Sequence, residues 1–180
     1  MLVGITALVL GQSMASGAIS GAPFEPTQAT LLKFQNDATA TAGGFTDRAN
    51  VYWLTFQRGD DFIPDEDLKV MIQVRPGTKI SGLRLNNFAV RAGTDAYRAQ
   101  HFPIRNQPAS VGLGIIGVHA QTPNPARGLK GLQMWHDQID ARIHFGAIQK
   151  GTITGTIDLR LPTKDRTWLQ GKFRAKLDGF

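Results

Sequence analysis

The 180-residue chain contains no cysteine. That excludes disulfides, thiolate metal centres and a cysteine nucleophile, and leaves the core alone to hold the fold together. Aromatic residues are sparse, at 8%. No run of Lys and Arg occurs, so there is no basic arm of the kind that wraps nucleic acid. Specific recognition of nucleic acid would also call for exposed aromatics that stack on bases. No apolar stretch is long enough for a transmembrane segment. Motifs of chemistry are missing too: no G-x-S-x-G elbow, no H-E-x-x-H, and no Gly loop ending in Lys-Ser/Thr that would cradle phosphate. Acidic residues are the minority charge, 14 against 20 basic, for a net +6. Such a balance favours adhesion to acidic polymers, or serves solubility alone.

What is present is the material of a β-fold. Gly (20) and Pro (9) punctuate the chain at short intervals, as tight turns between strands require. The length suits one domain with a sizeable core. LVGITALVLG, residues 2 to 11, is apolar and uncharged, and small residues follow it. That layout resembles a signal peptide with Ser13 and Ala15 at −3 and −1; Ser16 and Ala18 offer a second cleavage site. No basic residue precedes the apolar run, and a buried first strand is the competing assignment. The expected organisation is a leader over 1–15 and a single domain over 16–180. The expected location is secreted, periplasmic or cell-envelope.

Along the domain, residues 17 to 26 read as one extended edge segment. A weakly alternating strand follows at 27 to 35, a polar loop at 36 to 44, and a strand apolar on both faces at 49 to 57. RGDDFIPDED, 58 to 67, reads as an acidic connection. Residues 68 to 76 alternate well, and 79 to 93 hold another strand. Residues 94 to 110 lack regular patterning, 111 to 121 read as a Gly-rich strand, and 122 to 131 as a loop. Ile139, Ala141, Ile143 and Phe145 alternate with Asp140, Arg142 and His144, which is strand periodicity.

The chain closes on a hairpin, 153 to 161 against 169 to 177. Pairing Leu161 with Leu169 sets Ile157 opposite Phe173 and Asp158 opposite Lys172. That leaves Arg160, Lys172, Arg174 and Lys176 on the solvated face. Seven to nine short strands and no ten-residue helix predict an all-β fold. The expected form is an antiparallel β-sandwich, jelly-roll-like or Ig-like, with a β-barrel as the alternative.

Three patterns carry a resemblance. They are G-x-I-x-G-x-P-F (17 to 24), F-x-x-D-x-x-L-K-V-M-I (62 to 72), and G-x-I-x-G-x-I-x-L-x-L-P-x-K-D leading to G-x-F-x-A (151 to 175). Together they resemble a group of secreted, planctomycete-type bacterial proteins of unknown function. The matching positions are structural glycines and core residues. The resemblance therefore implies export and a β-fold, and no activity.

Few residues suggest chemistry. Trp53, Trp135 and Trp168 are candidates for a carbohydrate-stacking platform, and Arg160, Lys172 and Arg174 for contact with an acidic polymer or glycan. Asp60, Asp61, Asp65, Glu66 and Asp67 put five acids into eight positions. Oxygen-rich loops suit calcium, but Pro64 interrupts this one and the spacing is not that of a calcium loop. A hydrolase on the same scaffold would draw on His136, Asp140 and His144, or on Asp140 with Asp158. The reading that follows is an exported, non-enzymatic binding or structural module without a cofactor. A carbohydrate-binding module and a hydrolase are the alternatives.

Overall fold

The computed structural model describes residues 14–34, 50–59, 64–74, 77–86, 114–124, 129–135, 139–161 and 166–180. Among these residues there are eleven strands and no helix. They are β1 (Ser16–Ile19), β2 (Ala22–Phe24), β3 (Gln28–Phe34), β4 (Asn50–Gly59), β5 (Pro64–Val74) and β6 (Arg84–Asn86), then β7 (Gly114–Asn124), β8 (Leu129–Trp135), β9 (Asp140–Gln149), β10 (Thr152–Arg160) and β11 (Trp168–Asp178).

All of them belong to one sheet, ordered β6-β9-β10-β11-β3-β4-β5-β7-β8, with β1 and β2 attached beside β11. Every pairing is antiparallel except β11 with β3, which joins the two ends of the chain in parallel. The sheet curls into a half-barrel, and β6 at one edge comes up against β7 near the other. Its two wings thus close over a shared core, as the all-β expectation required.

Period-two alternation builds that core. On β4, Tyr52, Leu54 and Phe56 point inward beside Leu68, Val70 and Ile72 of β5. On the other wing Ile143, Phe145, Ile157, Leu159 and Phe173 do the same. Phe173 links the wings: its ring meets Phe56 and Phe145 edge-on, at centroid distances of 5.6 and 5.8 Å. Such T-shaped pairs add to the hydrophobic gain of burial.

The closing hairpin forms with the expected faces but a register two residues away from the expected one. Ile157 faces Gly171, Gly155 faces Phe173, and Asp158 faces Gln170. Packing explains the shift, because Ile157 and Phe173 now each lie opposite a glycine instead of each other. The Phe173 ring covers Gly155 so closely that a Cβ there would collide with it. The loop end agrees: Leu161 N–H donates to Thr167 O at 3.0 Å, and the buried Thr167 accepts from Ser20 N–H through Oγ1 at 3.0 Å.

Three other expectations change. Residues 17 to 26 are not one extended segment but a hairpin, turning at Ser20 (φ 51) and Gly21 (φ 81). Two positive φ values in succession make a type I′ turn, the form that matches strand twist. Lys150 (φ 49) and Gly151 (φ 73) turn β9 into β10 in the same way. The acidic connection at 58 to 67 is largely strand, since Arg58 pairs with Glu66 and Gln57 with Asp67. Residues 122 to 124 and 129 to 131, expected as loop, extend the β7–β8 hairpin. The strand expected within 79 to 93 is present as β6, which follows a turn in which Leu83 N–H donates to Ile80 O at 3.1 Å.

Residues 1–13, most of the leader expected over 1–15, lie outside the described residues. Met14 packs against the core and Ala15 is buried in it, next to Gly171. Cleavage after Ala15 leaves β1 whole, whereas cleavage after Ala18 removes most of it. Among the described residues no helix is long and apolar enough to cross a membrane.

Candidate functional site

The outward side chains of β6, β9, β10 and β11 line an open depression of about 730 Å³. Strand register sets them in rows. One row runs Arg84, His144, Thr156, Lys172; the next runs Asn86, Arg142, Asp158, Gln170. Asp140 and Arg160 follow, with Trp168 beyond them. On the opposite flank Arg174 faces Thr154 and Lys176 faces Thr152.

Charge on this face is unequal. Arg84, Arg142, Arg160, Lys172, Arg174 and Lys176 are all exposed, against three acids: the half-buried Asp140 and Asp158 and the exposed Asp178 at the far end of β11. Both half-buried acids are committed to a checkerboard. Asp140 lies opposite Arg160 and Asp158 opposite Arg142, and Arg160 Nε reaches Asp158 Oδ1 at 3.3 Å. Alternating signs on neighbouring strands support the β9–β10 register. Among the described residues Arg84, Lys172, Arg174 and Lys176 have no acidic partner. These four cations make up the net positive field of the face.

The structure therefore gathers Lys172 and Arg160 with His144, Asp140 and Asp158, and places Arg174 on the flank. It does not gather the tryptophans. Trp168 is 40% exposed at one end of β11. Trp53 lies on the outer face of β4, level with Asp178 at the other end of β11 through Leu32. The separation along the sheet is ten residues of β11, roughly 33 Å at 3.3 Å per residue. Trp53 is already engaged: Lys69 Nζ stands 5.8 Å over its ring and His119 meets it edge-on. Trp135 ends β8 in register with Val118, and its side chain lies outside the described residues.

Of the acidic stretch, Asp60 and Asp61 fall outside the described residues, and so does the side chain of Asp65. Asp67 is buried and forms an ion pair with Lys69 at 3.1 Å. Among the described residues no group of three or more potential ligands could hold a metal ion. His101 and His136 also lie outside them.

Arg84, Asn86 and Arg142 were not among the candidates. Alternation alone puts Arg142 on the polar face, but nothing local in the sequence announces that β6 pairs with β9. The result is an all-β protein with one basic, hydroxyl-lined outer face. No protein-family model, curated protein or solved structure matches the chain.

Proposed function

We propose that this chain is an exported, non-enzymatic binding module of the cell envelope or extracellular space, and that its basic outer face holds a polyanion. One observation carries the reading: of four exposed cations without acidic partners among the described residues, Arg84 on β6 and Lys172 on β11 flank an open depression, and Arg174 and Lys176 continue the row along β11. An open, rigid sheet surface suits an extended ligand, and a field of one sign raises its local concentration. The checkerboard around Asp140 and Asp158 supports the non-enzymatic part. Export rests on the apolar leader and on the resemblance to planctomycete-type secreted proteins.

Retention of the purified protein on immobilised heparin, eluted with a salt gradient, tests the polyanion reading. Binding to a polyanion releases counterions and weakens steeply with salt. The chain is expected to elute late, and an R84E/K172E/R174E variant to elute near the void. Equal retention of the two proteins would sink the proposal.

A further inference from the structure

The polyanion-binding face has a second regularity. Across the β10–β11 hairpin each cation of β11 stands opposite a threonine of β10: Lys172 with Thr156, Arg174 with Thr154, Lys176 with Thr152. The rungs recur every second residue, about 6.6 Å apart. Each carries one positive charge and one hydroxyl; those of Thr154 and Thr156 are exposed, while Thr152 Oγ1 already donates to Gln149 O at 2.9 Å. Beyond Lys172 the ribbon continues through the Gln170–Asp158 rung, where Asp158 is held by Arg160, to Trp168, exposed and flanked by Arg160 and Ala18.

We infer that the polyanion is an acidic polysaccharide lying along this ribbon. The inference rests on the polyanion reading. A polymer of acidic sugars repeats one carboxylate or sulfate among several hydroxyls, which is the complement of a charge-plus-hydroxyl rung. Polyphosphate matches the charges and has nothing for the threonines. Single-stranded nucleic acid is normally held by a series of stacking platforms, and this ribbon supplies one indole. That indole gives a pyranose ring an apolar surface to stack on while Arg160 beside it remains able to donate hydrogen bonds. From Trp168 to Lys176 the ribbon runs eight residue steps, about 26 Å.

Calorimetric titration of the full chain with three probes tests this: a uronic-acid polysaccharide, inorganic polyphosphate and single-stranded DNA. Two variants leave every charge in place, T154V/T156V and W168A, with W168F as the conservative control. Circular dichroism establishes that each is folded. Each deletion variant is expected to weaken uronate binding about fivefold to tenfold, and W168F by less than about twofold, with polyphosphate affinity unchanged. Equal effects on uronate and polyphosphate, or no effect on either, would overturn the glycan inference while leaving the polyanion face intact. DNA binding tighter than uronate binding and sensitive to W168A would overturn it in favour of a nucleic-acid surface. Failure of all three probes to bind the unmodified chain would remove the polyanion reading itself.

Discussion

Phe173 and Gly155 form a matched pair across the closing hairpin. A methyl group added at Gly155 would meet the Phe173 ring and the His144 carbonyl. Overpacking of this kind costs about 1–3 kcal/mol. We expect Gly155→Ala to lower the urea midpoint accordingly. Combining it with Phe173→Leu should cost less than the sum of the two single changes, since the shorter side chain withdraws from the added methyl; a double-mutant cycle measures that coupling. Tyr52 offers a residue-scale test with a sign. Burial raises its phenol above the ordinary 10.0. The folded state therefore holds the proton more tightly than the unfolded chain. The associated stability is complete below pH 10.0 and is lost as pH rises through the folded value. Urea midpoints taken from about pH 9 upward should fall more steeply for the natural chain than for Tyr52→Phe. Tyr97, the other tyrosine, is common to both proteins.

Among the elements, the β1–β2 hairpin is held to the body by its pairing with β11 and by the Ser20–Thr167 bond. Gly17 lies so close to the strand beside it that a side chain there would strike the Trp168 carbonyl. Gly17→Val should lift this hairpin while sparing the distant β4–β5–β7 wing. Hydrogen exchange would then accelerate over residues 16 to 24 and stay slow over Leu68, Val70 and Ile72. Uniform acceleration would mean that the hairpin is integral to the whole fold. The strong alternations at 68–74, 139–145 and 153–177 were legible because each face meets one medium, core or water. The Ser20–Gly21 turn was signalled by its dipeptide, but the apolar spacing on either side mimicked a continuous strand. The strand content of 64–67 and 122–124 was hidden by acids and a proline, residue types that local propensity assigns to loops.

At the scale of the molecule, curling the sheet turns the outward faces of β6, β9, β10 and β11 into one charged surface. A salt series should distinguish a specific array from net charge. Reversing Lys172 and Arg174 should abolish late elution from heparin, whereas reversing Lys79, exposed off the depression, should shift it only slightly. Equal shifts would mean that net charge alone drives retention. The proposed export carries a prediction for the whole chain. If the leader is removed on export, the mature protein is expected to begin at Ser16, since processing there keeps all of β1. Mass spectrometry of the mature N-terminus reads this directly, and a start at Ile19 would contradict it.

The amino-acid order by itself determined which side chains face inward and which face water along each strand, because alternation is a local property with a period of two. It thereby determined the all-β class and the cationic character of the closing ribbon. Register between strands, and the neighbourhood of Arg84, His144 and Lys172, were decided only by the tertiary structure. Both depend on contacts between residues distant in sequence. There the fit of a ring over a glycine, and of one strand edge beside another, selects among pairings that the local pattern leaves equal.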